Sequence, residues 1–442
     1  MTIRLQDKSA NIRSSQNVVE AKMSLRSQRV VCSAVITLFL LAGCRKAPAA
    51  MPSVKAASAD EFVDSVGVNV HLAYTDTLYY QNFPLILSSL ESLCVRHVRD
   101  GLQTAPFSDY YNRYDQLASN GVHADLITSE NQPMSVLKAA MTGMPSAIES
   151  FEGPNEADLA RGAWISTLKA YMSTIYAGVK ALWPSMPVYS PSLAMGYASY
   201  VDLGNVDATS NFGNLHNYFD GFNPGTGGWG ANGYGSIVWN LTNVAITNPQ
   251  QPVVTTETGY TNQTSVVGSV PDAIAARYMP RLLLEQWNHG ITRTYLYELL
   301  SSGGQDFGLL RPDGSRKPAF TAVANLLGWL QDPGPAFKLN SLQYSLSGGN
   351  ADLHSALFQQ RNGKFYLALW VEEVGYDINA NVPIAVTPQT VTLTVQSPAM
   401  ITGMIDFEDD GGTWSRTVNN QQVLTRTITD HVTLIHIYPT WN

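Results

Sequence analysis

Two glutamates stand where an apolar run of strand character gives way to a loop. Glu156 closes Phe151-Glu152-Gly153-Pro154-Asn155-Glu156, and Glu257 sits within Thr255-Thr256-Glu257-Thr258-Gly259-Tyr260. A pair of carboxyl groups facing one bond can divide acid and nucleophile work on a glycosidic linkage. That division needs unequal partners, one protonated and one ionised at the working pH. At a separation of about 5–5.5 Å, an ionised nucleophile raises the affinity of the acid for its proton. Glu156 taken alone would be an ordinary helix N-terminal carboxylate; its pairing with Glu257 at a second strand end is what singles it out.

Such a pair has to be brought together by the fold. From about residue 66 to 330, strand-like runs alternate with segments of helical period, the pattern of a parallel sheet with crossover helices. Eight candidate strands fall at 67–71, 95–99, 122–128, 148–151, 187–190, 213–217, 252–257 and 291–298, with helices expected over 85–93, 163–182 and 273–287. Eight such units favour a closed (β/α)₈ barrel over an open sheet, and a barrel presents its functional side chains at the C-terminal ends of its strands. Trp164, Trp183, Trp287 and Trp329 fall at helical spacing and read as packing. Trp229 and Tyr234 instead lie on a Gly-rich loop over 219–235, where they could stack on sugar rings.

A last helix over 320–330 is stopped by Asp332-Pro333-Gly334-Pro335. Beyond it the pattern turns to period-two alternation, as in Thr390-Val391-Thr392-Leu393-Thr394-Val395, and Arg361-Asn362-Gly363-Lys364 reads as a two-residue hairpin turn. The expectation is an α/β chain, with a (β/α)₈ TIM barrel over 61–332 and a C-terminal antiparallel β-sandwich over 336–442. The sandwich aromatics are scattered, which fits bracing better than glycan binding.

The N-terminus reads as an export signal over 1–43, with Arg26 and Arg29 ahead of an apolar run that ends in Leu41-Ala42-Gly43-Cys44. That tetrapeptide resembles the lipobox of bacterial lipoproteins, which implies cleavage before Cys44, its lipidation, and residence in the bacterial envelope. Met23 would give a more ordinary start, and 44–60 has the Ala/Pro/Ser composition of a tether. Cys32 leaves with the signal and Cys44 is modified, so Cys94 remains alone and no intrachain disulfide is expected. Residues 1–43 hold six basic and two acidic side chains, so without them 21 Lys and Arg stand against 33 Asp and Glu. An acidic chain without a basic cluster is a poor partner for nucleic acid.

Asn155-Glu156 at the fourth candidate strand and Glu257 at the seventh resemble the clan A retaining glycoside hydrolases, over roughly 66–330. The resemblance implies Glu156 as acid/base and Glu257 as nucleophile. It also implies Arg99 as support for the nucleophile, Asn155 on the sugar 2-hydroxyl, and His216 and Tyr218, from His216-Asn217-Tyr218, beside the two carboxylates. His71 and Glu298, ending the first and eighth strands, point by position to the same mouth. Many clan members end the eighth strand with a tryptophan; here it reads Tyr295-Leu296-Tyr297-Glu298, and either Tyr295 or Tyr297 could supply the stacking face.

The implied activity is hydrolysis of a β-linked oligo- or polysaccharide, with membrane contact through the lipid anchor and no protein partner inferable. Transglycosylation by the same residues, and glycan binding without turnover, are the alternatives. No cofactor is expected, and no His or Cys spacing of a metal site is present. Asp406, Asp409 and Asp410 lack the pattern of a calcium loop and read as an acidic turn.

Overall fold

A computed structural model describes residues 51–439 apart from Arg161 and Gly303; the expected signal segment and Cys44 lie outside the described residues. Eight parallel strands form one sheet: β1 (Val66–Asn69), β2 (His97–Gly101), β3 (His123–Ile127), β4 (Ile148–Glu152), β5 (Val188–Tyr189), β6 (Gly213–His216), β7 (Val253–Thr258) and β8 (Arg293–Leu296). Their spatial order is β5-β4-β3-β2-β1-β8-β7-β6. A parallel bridge between Tyr189 and Phe212, with Ser190 N–H donating to Phe212 O at 2.9 Å, joins the two ends and closes the barrel. Each strand lies within two residues of an apolar run picked out in the sequence.

The crossover helices turn one face inward, as Ile175 and Val179 of Trp164–Leu182 and Phe320, Val323 and Leu327 of Pro318–Leu330 show. Trp164, Trp183, Trp287 and Trp329 pack partly buried against that core. Inside the barrel, Tyr189, Val254 and Tyr295 form a separate cluster. Gly67 is required there, because a Cβ would meet the Tyr295 ring at 2.4 Å. Tyr295 therefore lies in the barrel interior, its hydroxyl donating to Glu149 at 3.1 Å, and is no stacking face at the mouth.

In the C-terminal region a four-stranded and a six-stranded sheet, antiparallel but for one edge pair, enclose Leu342, Leu367, Leu393, Ile401 and Ile437. Two short segments expected to be tether belong to them. Ser53–Lys55 pairs antiparallel with residues 341–343, and Ala57–Ser58 pairs parallel with Phe358 and Gln359. Small residues carry little strand signal, and the partners that recruit them lie some 290 residues away in sequence. The turn after Leu353–Gln359 is also longer than expected. Gly363 N–H donates to Gln360 O and Gly363 takes φ +85°, a three-residue loop with a bulge.

Sandwich and barrel are joined by buried charge. Arg281, on helix Asp272–Asn288, donates to both oxygens of Glu372 at 2.6 and 2.8 Å, and Trp370 Nε1 donates to Glu372 at 2.8 Å. Asn223 Nδ2 and Gly225 N–H, both on the loop after β6, donate to the same carboxylate. In the acidic turn, Asp409 pairs with Arg277 and His431.

Candidate active site

The loop after β4 passes so close to the next strand end that only glycine fits at Gly153, where a Cβ would meet Pro191 N at 2.7 Å. It ends on Glu156, held at φ +47°, ψ +45°, a left-handed conformation that side chains other than glycine seldom adopt and that recurs at functional sites. Ser192 Oγ accepts from the Glu156 N–H at 3.1 Å. The Asp158 carboxylate accepts from the backbone of Ala194 and Met195, fastening this loop to the one after β5.

Arg99, on β2, is buried and spends all five guanidinium hydrogens. Nε and Nη2 grip Glu152 at 2.7 and 2.8 Å, Nη1 reaches Asn69 at 2.9 Å and Glu257 at 2.6 Å, and Nη2 also reaches Asn155 at 2.6 Å. Glu152 has no exposed surface and accepts from Asn214 Nδ2 at 3.0 Å. Asp125 lies behind it, likewise buried, accepting from Ser150 Oγ at 2.6 Å. Burial first, then the charge of Glu152, pushes the Asp125 carboxyl far above the usual carboxylate range. Glu152 and Asp125 were not among the residues expected at the site. The available signal was their place within barrel strands, Asp125 in His123–Ile127 and Glu152 at the end of Ile148–Glu152.

Glu156 and Glu257 meet at one imidazole. His216 Nδ1 lies 2.8 Å from Glu156 Oε1 and 3.5 Å from Glu257 Oε2, and one oxygen of each carboxylate and one nitrogen of the imidazole fall within 4.8 Å of one another. Tyr218 donates its hydroxyl to Glu257 Oε2 at 2.9 Å. Burial pushes the Glu257 carboxyl up, but the charges of His216 and Arg99 and the hydrogen bonds from Arg99 and Tyr218 outweigh it and hold it below the usual range. The tautomer of His216 follows from its neighbours. Asn214 Nδ2 gives its hydrogens to Glu152 and Ser190 O, so Thr256 Oγ1 donates to Asn214 Oδ1 at 2.7 Å and accepts from His216 Nε2 at 3.2 Å. The short Nδ1 to Glu156 contact then holds a single shared proton.

Other expected residues take different places. Asn155 is exposed and offers Oδ1 to Arg99, leaving its Nδ2 for a ligand. Tyr297 lines the mouth, edge-on to His71 and Phe307. His71 also lines it, stacked on Tyr74 with centroids 4.5 Å apart. Glu298, expected at the mouth, is buried beneath it with no side-chain exposure. The chain turns after Leu296 so that Tyr297 faces the opening and Glu298 faces the following loop, where it accepts from Ser302 N–H and Oγ and lies 3.1 Å from His71 Nε2. Trp229 stacks on Phe222 at 5.0 Å and lines a cavity that reaches Glu156.

Glu156 and Glu257 both open onto two adjoining cavities of about 430 and 620 Å³, within the size range of ligand sites. Glu156, His216 and Glu257 could offer three ligand atoms to a cation, as could Glu285, His354 and Glu372. In each set a guanidinium already occupies a carboxylate, Arg99 on Glu257 and Arg281 on Glu372, and a second cation there would be repelled.

No protein-family model and no curated protein matches the chain. Among solved structures it is similar to the α-L-arabinofuranosidase of Thermotoga maritima in its arabinose complex, with TM-score 0.58 and 9% identity over 88% of this chain and 98% of that one. It is equally similar to the GH51 α-L-arabinofuranosidase of Thermotoga petrophila RKU-1, with TM-score 0.58 and 9% identity over 87% and 98%. Both neighbours are glycoside hydrolases, and at this identity the likeness is one of fold.

Proposed function

We propose that the protein is a retaining glycoside hydrolase of the clan A type acting on a β-linked glycan. The reading is carried by one observation: two carboxylates, far apart in sequence, share His216 Nδ1 across an open cavity with oxygens within 4.8 Å. Such spacing leaves no room for a water between carboxylate and sugar and suits direct attack.

Glu257, ionised, attacks the anomeric carbon while Glu156 passes its proton to the departing glycosidic oxygen. The result is an ester between Glu257 and the sugar. Arg99 then remains paired with Glu152, so loss of the Glu257 charge strands no buried cation. Glu156, now ionised, takes a proton from water, which displaces Glu257 and releases the sugar with retained configuration. Asn155 Nδ2 is placed to bind a substrate hydroxyl, and Tyr297 offers an aromatic face in place of a tryptophan. The export signal and lipid anchor on Cys44 would hold this activity at the bacterial envelope, with the barrel (61–332) and the sandwich (336–442) as successive regions.

The test is a pair of variants. Glu156→Ala loses most activity on substrates with poor leaving groups, and on an aryl glycoside with a good leaving group azide restores turnover by displacing Glu257 from the glycosyl-enzyme to give the glycosyl azide; Glu257→Ala no longer forms the covalent adduct that a 2-fluoro glycoside leaves on the wild type. Undiminished turnover in both variants overturns the reading.

A further inference from the structure

We propose that the groove binds an internal stretch of a neutral polysaccharide chain, with sugar units held on both sides of the linkage that is cut. This rests on the glycosidase reading above and adds to it the mode of attack and the charge class of the substrate.

The 620 Å³ cavity contains the whole set around an anomeric carbon, namely Glu257, Glu156, Arg99 and Asn155. It therefore takes the sugar that is attacked. A third cavity of about 220 Å³ reaches Glu156 and His216 but not Glu257, Arg99 or Asn155, so it lies on the side of the leaving group. Its far wall is Trp229, Tyr234 and Trp239. Tyr234 and Trp239 also line the next cavity outward, of about 750 Å³, whose rim carries Tyr197. Trp229, Tyr234 and Trp239 meet edge to face at 5.7 and 4.8 Å, so the track is one connected aromatic wall.

Tyr197 and Tyr234 are 59% and 46% exposed, and on the other side of the carboxylates Tyr74 is 45% exposed above His71. Exposed aromatic faces in a line through a cleft mark binding surface, and such faces suit the C–H faces of successive sugar rings. A site for a terminal sugar needs a wall on one side of the cut; here surface of this kind continues on both.

Charge selects the chain. Glu130 and Asp220 stand on the walls, and among the described residues these four cavities are lined by no lysine and by no arginine other than Arg99, whose hydrogens are all engaged. A polyanionic glycan meets like charge there.

The whole protein is assayed on soluble β-glucan, mannan, xylan and galactan, on alginate and hyaluronan, and on aryl β-glycosides. Viscosity of a neutral polymer falling well before reducing ends accumulate is the expected result. Release of single sugars from chain ends with viscosity preserved, or preference for alginate or hyaluronan, overturns the inference and leaves the glycosidase reading intact. No cleavage of any polymer or aryl glycoside overturns both. In Tyr197→Ala/Tyr234→Ala, the ratio of kcat/KM on polymer to kcat/KM on aryl glycoside drops at least tenfold; an unchanged ratio rules out the aromatic track.

Discussion

Arg99 Nη1 donates to Glu257 Oε1 at 2.6 Å from a position with 1% side-chain exposure, so the proposed nucleophile rests on a cation that water does not reach. The same guanidinium is clamped from behind by Glu152. Breaking a buried pair by removing one partner costs about 3–5 kcal/mol. Arg99→Met is expected to lose stability of that order in urea unfolding, because Glu152 stays behind as a buried charge. Adding Glu152→Gln should restore most of the stability and none of the activity. Equal stability of the single and double variants would contradict this.

In the proposed mechanism Tyr218 and Glu257 set the acid limb of activity. The nucleophile must be ionised, and its pKa lies below the usual carboxylate value, so kcat/KM should persist below about pH 4.3 before it falls. Tyr218→Phe removes a donor to the ionised form. The limb should move to higher pH. A limb that stays in place would show that the hydroxyl does not favour the carboxylate.

Asp125 has the opposite sign. Its folded pKa is raised, so the folded state holds a proton that the unfolded chain releases near its ordinary value of about 3.9. Wild-type stability therefore declines as pH rises above that value, until the folded pKa is reached. Asp125→Asn cannot ionise and keeps a donor toward Glu152. The urea midpoint of this variant should exceed the wild type by more at pH 7.5 than at pH 4.5; a constant gap would mean that Asp125 is ionised in the folded protein.

Glu372 holds the loop after β6 through Asn223 and Gly225 while pairing with Arg281. Glu372→Ala leaves Arg281 buried without a counter-charge, and a loss of about 3–5 kcal/mol is expected. Amide exchange over 219–235 should accelerate more than exchange in β7. Uniform acceleration would argue against a local anchoring role.

The barrel was legible because its strands are apolar runs that alternate with segments of helical period, and the barrel rule then carried Glu156 and Glu257 to one mouth. Arg99, His216 and Tyr218 came from the resemblance to the clan A hydrolases, through motifs at the second and sixth strands. Glu152 and Asp125 did not, since a carboxylate within a strand resembles a solvent-facing position until its cation is located. Glu298 depends on how the backbone turns after β8, which no periodicity records. Ser53–Lys55 acquires strand character from its partner, residues 341–343, and not from its own side chains.

The Glu372 contacts also bear on modularity. A chimera that fuses this barrel to a foreign β-module would carry over every strand end and both glutamates, yet it would leave the Trp229 loop without its seat unless the newcomer brought an acidic side chain to the same point. Substrate range and the choice of appended module would then have to diversify together.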